Sequence, residues 1–402
     1  MGRDQVARWL EEGARRHRAG DLDAAEALYR RVLARRPEEP NALNLLGVIA
    51  RARGAIAEAV TLSGRALALR PGSPVFLAAH GAALAEAGRV AEAIPLLAEA
   101  VRLRPEDSVS LRNLGQALLA AGRVEEALPP LRRAALLDPA APEAALALAH
   151  ALREAGATLE AVRAAGEALR LAAGGPLEAE ARFLLAALGA APPPDRAPAS
   201  YVRDLFDRYA GRFDDDLTGR LGYETPQAIA ALLRRVGVPA AGGLAVLDLG
   251  CGTGLSGVAL KPFAARLEGV DLSPRMLEEA RRRGLYDALH EADLLAFLPR
   301  RPAAWDVVAA ADVLNYLGDL APALSAIAAA LRPGGHAAFS VEAGETPGFS
   351  LGEGLRYRHA PGDVARQLEA AGLRLLAQEE TVLRREKGRP VAGVLFAAAR
   401  PV

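Results

Sequence analysis

The chain of 402 residues has a single cysteine, Cys251, so no disulfide can form within it. A reducing setting, the cytoplasm, is the simpler expectation. Lysine is almost missing: Lys261 and Lys387 stand against 47 arginines, a bias that carries no functional reading. Net charge is missing too. Basic and acidic residues balance in each half, 24 against 23 over 1–190 and 25 against 26 over 191–402. Neither half has the basic excess of a nucleic-acid binder, so no nucleic-acid partner is expected. No apolar run reaches the length of a membrane span, and no membrane association is expected. The stretch Met1 to Gly20 is studded with Arg, Glu and Asp and does not read as a leader. Apolar residues are plentiful, 51% of the chain, and at this length they suffice for two or more domains with cores of their own.

The first half is periodic. Gly13, Gly47, Gly81 and Gly115 recur every 34 residues, and Ala149 holds the fifth place. Gly20, Gly54, Gly88, Gly122 and Gly156 keep the same period, as do Ala25, Ala59, Ala93, Ala127 and Ala161, and Pro37, Pro71, Pro105 and Pro139. Small residues at fixed offsets with a proline closing each unit predict stacked helix–turn–helix repeats: close helix approach, a turn, room for the neighbouring helix, then a helix stop. The pattern resembles the tetratricopeptide repeat family, with units at about 6–39, 40–73, 74–107, 108–141 and 142–175 and a capping helix near 177–189. The resemblance implies a right-handed solenoid whose inner face takes a protein or peptide. Asn41, Asn44, Arg51, Arg112 and Gln116 fall on that face, where they are either partner contacts or solvated polar positions. His17, His80 and His150 lack ligand spacing, so no metal is expected.

Four prolines between Gly189 and Ser200 mark a stiff linker over 190–199. From 200 to 402 helices and apolar strands alternate. Helices are expected at 200–216, 224–236, 254–265, 274–283, 319–331 and 361–371, and strands at 244–249, 267–271, 288–292, 305–312, 336–342, 373–384 and 391–399. Such alternation predicts a mostly parallel sheet with helices on both faces, an α/β Rossmann-like domain after an all-α solenoid.

The turn after the first of these strands, "DLGCGTGLSG", carries Gly250, Gly252, Gly254 and Gly257. Its last part fits a dinucleotide fingerprint, with Asp271 downstream for ribose hydroxyls, and this leaves a nicotinamide-dependent oxidoreductase open. The flanks point elsewhere. Asp248 through Gly254 resembles the first motif of class I methyltransferases, and Gly269-Val-Asp271-Leu272-Ser-Pro-Arg-Met276 resembles their second. Glu291-Ala-Asp293-Leu294 resembles the third, the Arg-Pro-Gly-Gly turn at 332–335 resembles the one before their fifth strand, and the last two strands resemble their closing hairpin, giving a seven-stranded sheet. The resemblance implies S-adenosylmethionine as cofactor. Bare backbone at Gly250, Gly252 and Gly254 would approach its methionine part, with Asp248 toward the cationic end, Asp271 toward ribose hydroxyls, Asp293 at the adenine amino group, and Leu272, Met276 and Leu294 as further cofactor contacts.

Val202, Phe206, Tyr209 and Phe213 form one stripe of the preceding helix. This stretch, continuing through 221–226, resembles the cover of methyltransferases that also carry tetratricopeptide repeats, and implies that Tyr209, Phe213 and Tyr223 touch cofactor or substrate. Asp312, Tyr316 and His359 are candidate bases for an acceptor that holds a proton. The glycine-rich arm 344–359 is expected over the substrate, with Arg356 and Arg358 available to an anion. The expected activity is methyl transfer to a small-molecule, carrier-bound or protein acceptor; a repeat scaffold with a weakly binding or inactive second domain is the alternative.

Overall fold

The structure, a computed structural model, describes residues 2–220, 222–352, 354–386 and 388–402; Leu221 of the expected cover, Glu353 of the arm and Lys387 lie outside the described residues. The chain divides into two compact units, Met1–Ala181 and Arg182–Val402.

The first unit is five helix pairs: α1 (Gly2–Arg18) with α2 (Leu22–Arg35), α3 (Pro40–Ala52) with α4 (Ile56–Leu69), α5 (Pro74–Glu86) with α6 (Val90–Leu103), α7 (Ser108–Ala120) with α8 (Val124–Leu137), and α9 (Pro142–Glu154) with α10 (Thr158–Leu171). The repeated glycines do two jobs. Gly20, Gly54, Gly88, Gly122 and Gly156 all turn the chain with φ between 73° and 81°, a left-handed conformation that favours glycine. The other column makes room. A Cβ on Gly13 would stand 2.5 Å from the Tyr29 ring and one on Gly81 2.7 Å from Leu97 Cγ, while one on Gly115 would collide with Leu131. Tyr29, Leu97 and Leu131 are fully buried. In the fifth pair the same spacing sets Ala165 opposite Ala149, so a smaller side chain there makes glycine unnecessary.

Helix α11 (Glu178–Ala187), the expected cap, crosses the boundary between the units. Its Phe183 lies 5.4 Å from the Tyr201 ring and 6.1 Å from that of Tyr357, so its second half packs in the core of the second unit. The proline-rich segment is likewise bonded to the second unit. Asp195 O accepts from Gly318 N at 2.8 Å, Ala197 N donates to Tyr316 O at 2.9 Å, and the Tyr357 hydroxyl donates to Pro194 O at 2.7 Å.

The second unit holds α12 (Ala199–Tyr209), α13 (Thr225–Arg235), β1 (Leu244–Leu249), α14 (Leu255–Leu260), β2 (Ala264–Asp271), α15 (Pro274–Arg283), β3 (Ala288–Glu291), α16 (Leu294–Phe297), β4 (Trp305–Ala310), α17 (Ala321–Ala330), β5 (Leu331–Ala343), β6 (Phe349–Leu351), β7 (Tyr357–His359), α18 (Pro361–Ala370), β8 (Arg374–Glu386) and β9 (Arg389–Ala399). Parallel strands run β3-β2-β1-β4-β5, and the antiparallel β9 and β8 follow on β5. These are the seven strands of the expected sheet; the arm adds β6 and β7 at the tip of β5, where Glu342 pairs with Arg358. Strand residues alternate between two cores. Leu247, Leu249, Val308 and Ala310 face α17 and α18, and Val246, Val307 and Ala309 face α13 and α14.

Three expected elements are shorter than anticipated, each for a local reason. The helix begun at 255 ends at Leu260 because Pro262 cannot continue its hydrogen bonding, and one 3-10 turn leads into β2. Strand β4 stops at Ala310, short of Asp312, whose φ of 55° is incompatible with a strand. The cover helix stops at Tyr209 and passes through a 3-10 turn, Ala210–Arg212, into a π-helical turn, Asp215–Arg220.

Candidate active site

Strand β1 lies between β2 and β4, so the strand order reverses beside it, and a cavity of about 280 Å³ opens at the carboxyl ends of these strands. Gly250, Gly252, Asp271, Leu272, Asp293 and Leu294 line one end of it. Gly250 and Gly252 have φ of 61° and 54°; a side chain on Gly250 would strike Val313, and one on Gly252 would reach Phe213 at 3.8 Å. Asp271 is fixed by backbone amides: Oδ2 accepts from Gly252 N at 2.9 Å and Oδ1 from Ser273 N at 2.8 Å. Burial raises its pKa to about 6 against these bonds. Asp293 caps α16, accepting from Leu295 N at 2.8 Å, and forms an ion pair with Arg196, which also lines the cavity.

The remaining glycine-motif residues stand behind the wall. Asp248 is fully buried and is not among the lining residues; its Oδ2 accepts from Ser256 Oγ and the Tyr286 hydroxyl, both at 2.6 Å. Burial raises its pKa to about 7. Gly254 leaves room for Arg283 and the Tyr286 ring, and a side chain on Gly257 would collide with the Tyr286 hydroxyl. So Asp248, Gly254 and Gly257 shape the turn through Tyr286 and do not face the cavity. Met276 is a core residue of α15, fully buried and outside the lining.

An aromatic wall covers the cavity. Phe206 meets Phe213 and Tyr316 edge-on at 6.1 and 5.6 Å, and Tyr209 meets Phe213 at 5.3 Å. The cover is tied down by Asp207, which accepts from Ser273 Oγ at 2.5 Å, and by Asp214, which accepts from Thr253 Oγ1 at 2.5 Å and pairs with Arg283.

At the β4 end stand Asp312, Asn315, Tyr316, Tyr223, Arg356, Arg384 and Glu386. Asp312 accepts from Ser340 Oγ at 2.9 Å and faces Arg384 at 3.4 Å; burial raises its pKa, with Arg384 opposing. Tyr316 and Tyr223 are raised by burial as well. Arg356 pairs with Glu342 at 2.7 Å and with Glu386, and Arg384 pairs with Glu386 at 2.7 Å and with Glu342. Burial works against the charge on Arg384, but the surrounding carboxylates outweigh it and its pKa is raised; Glu342 is correspondingly lowered although burial opposes this.

Besides Asp248, Gly254 and Met276, two more expected site residues are not brought in. His359 is 1% exposed, its Nε2 lies 3.0 Å from Gly318 O, and burial lowers its pKa; it joins the arm to the loop after β4 and is not among the residues lining the cavity. Arg358 alternates to the outer face of β7, where it is exposed and lies 3.9 Å from Glu342. Sequence reasoning missed Arg384, Glu386, Asn315 and Arg196. Arg384 was hidden by a bulge: the β8–β9 register shifts between Val382 and Arg384, so Leu383 and Arg384 are both buried although strand alternation would separate them. Arg196 was hidden by its place in a stretch that reads as linker.

The residues present fit a cofactor with a donor-rich polar end. Asn315 is 2% exposed, lines the cavity, and its Oδ1 has no hydrogen-bond partner among the described residues, so it calls for a donor from a ligand. Among the described residues no group of His, Cys, Asp or Glu could hold a metal ion, and no helix is long and apolar enough to cross a membrane.

An open α/β sheet with its cavity at the reversal of strand order, following a helical repeat array, defines a protein of helical repeats and an α/β domain. Family comparison gives the parts their names: residues 246–335 match the methyltransferase domain, and 10–74 and 84–150 match the tetratricopeptide repeat. The chain thus carries tetratricopeptide repeats followed by a methyltransferase domain. It is similar to the ubiquinone biosynthesis O-methyltransferase of Xylella fastidiosa, 36% identical over 100 residues covering 23% of this chain and 39% of the relative. It is also similar to the trans-aconitate 2-methyltransferase of Methylobacterium nodulans, 44% identical over 115 residues, 28% of this chain and 43% of the relative. The chain spans less than half the length of these relatives. Among solved structures it is similar to the Burkholderia thailandensis 1,6-didemethyltoxoflavin-N1-methyltransferase, at 21% identity and a TM-score of 0.42, covering 52% of this chain and 92% of the other.

Proposed function

We propose that the chain is an S-adenosylmethionine-dependent methyltransferase acting on a small-molecule or carrier-bound acceptor, with the repeat array docking a protein partner. The observation that supports it most is the Asp271 carboxylate, held by two backbone amides at the end of β2 beside the bare backbone of Gly250 and Gly252. In this reading Asp271 accepts from ribose hydroxyls, Leu272 and Leu294 flank the adenine, and Asn315 accepts from the amino-acid end of the cofactor. Asp293 accepts from the adenine amino group once Arg196 shares or releases it.

When bound, S-adenosylmethionine supplies an activated methyl group and leaves as a neutral thioether. The chain supplies orientation and a dry site: positioning of this kind accounts for about 7–11 kcal/mol of a barrier. Phe206, Tyr209, Phe213 and Tyr316 exclude water, and their rings favour a sulfonium charge. Asp312, with its raised pKa, takes the proton of an acceptor that still carries one. The name of the ubiquinone-biosynthesis relative, an O-methyltransferase, favours an oxygen acceptor. The methyltransferase match spans the glycine turn itself, which favours this reading over a nicotinamide-dependent oxidoreductase. Titrating the full chain with S-adenosylhomocysteine and with NAD tests the proposal: the first binds at micromolar level and the second does not, whereas the reverse pattern would overturn it.

A further inference from the structure

Arg356 and Arg384 lie between two carboxylates of unequal burial. Glu342, on β5, bridges both guanidinium groups from beneath; its side chain is 5% exposed and it does not line the cavity. Glu386, the last residue of β8, bridges the same two groups from the cavity side with its side chain 37% exposed. The arginines are 19% and 7% exposed, so their shape and direction are fixed by the fold. Glu342 is a permanent counter-ion. Glu386 is a carboxylate of the chain that rests where the cavity meets a preformed, two-pronged guanidinium site.

The geometry points to a carboxylate-bearing methyl acceptor, anchored on Arg356 and Arg384 in the place Glu386 now takes. Three features carry this, and it rests on the methyltransferase reading of the same cavity. First, both guanidinium groups donate to one carboxylate oxygen, Glu386 Oε1, so the pair already holds a carboxylate of the chain by charge-assisted hydrogen bonds. Second, the exchange is uphill by little, because a partly exposed ion pair at the end of a hairpin contributes weakly to stability, while the buried Glu342 pair stays intact. Third, the charge balance suits an anion. With Glu386 withdrawn, Glu342 is left as the carboxylate that bridges both guanidinium groups, and Asp312 meets Arg384 alone at 3.4 Å. Glu386 therefore keeps the arginines paired in the unliganded protein and yields to a better-placed acid, which also makes it a filter against acceptors without one.

The experiment uses the full-length protein saturated with S-adenosylhomocysteine and titrated with malonate, with inorganic phosphate in a parallel arm. Malonate should bind, Glu386→Gln should tighten it by about tenfold through removal of the competing charge, and Arg356→Lys, which keeps the charge but loses the fork, should weaken it by a similar factor. Malonate binding unaltered in Glu386→Gln, or absent from the wild type and Glu386→Gln alike while S-adenosylhomocysteine still binds, would overturn the acid site. Phosphate binding as tightly as malonate would overturn its assignment to a carboxylate. Failure of S-adenosylhomocysteine to bind at all would overturn instead the methyltransferase reading beneath it.

Discussion

Gly115 faces Leu131 so closely that one methyl group added to the glycine would overlap the leucine side chain. The same relationship recurs between Gly13 and Tyr29 and between Gly81 and Leu97, and it relaxes where small residues hold the facing place, Ser63 for Gly47 and Ala165 for Ala149. The first glycine column is thus one half of a size-complementary pair.

Gly115→Ala should destabilise the array by about 1–3 kcal/mol through overpacking. Adding Leu131→Ala, which recreates the fifth pair, should cost less than the sum of the two single changes. Chemical unfolding of the three variants checks this; simple additivity would show that the two positions are not coupled.

The buried Asp248 gives the second unit a pH dependence of definite sign. Its folded pKa is raised to about 7 from the ordinary 3.8. The stability of a buried neutral carboxyl is fully present below the ordinary value and is lost as pH rises toward 7. Asp248→Asn keeps an acceptor for Ser256 and Tyr286 but cannot ionise. Between pH 5 and pH 7.5 the wild type should therefore lose about 2 kcal/mol relative to Asp248→Asn. Urea unfolding at both pH values reads the difference, and parallel behaviour of the two proteins would contradict the assignment.

Two arginines separated by the fold should behave differently. Arg384→Ala removes one of the guanidinium partners of the buried Glu342 and should cost about 3 kcal/mol or more. Arg358→Ala, on the exposed face of β7, should change stability by less than about 0.5 kcal/mol. Thermal unfolding of both checks the contrast, which equal losses would remove.

Phe213 stands over Gly252 in the cavity wall. Replacing it with alanine should weaken S-adenosylhomocysteine by about tenfold through lost ring contact. Calorimetry reads this directly, and unchanged affinity would place the ring away from the bound cofactor.

Much of this was legible in the sequence because it depends on local pattern. The 34-residue columns announce helix pairs whatever surrounds them, and the strand–glycine–helix turn at 244–260 positions Gly250 and Gly252 by chain connectivity, with Asp271 at the end of the next strand. What was not legible depends on contacts between distant segments. Asp248 has the same spacing whether it faces a ligand or Tyr286, 38 residues away, and only packing decides. His359 reads as a loop histidine until the arm folds as β6 and β7 and buries it against Gly318. Arg384 and Glu386 reach the cavity through a bulge that breaks the two-residue period on which strand reading relies.

The central claim is that Asp271 holds the cofactor at the end of β2. Calorimetric titration of S-adenosylhomocysteine into the wild type and Asp271→Ala tests it most directly. Micromolar binding to the wild type is expected, with a loss of about 1–3 kcal/mol in the variant through the charged hydrogen bonds removed. Equal affinity of the two proteins would contradict it.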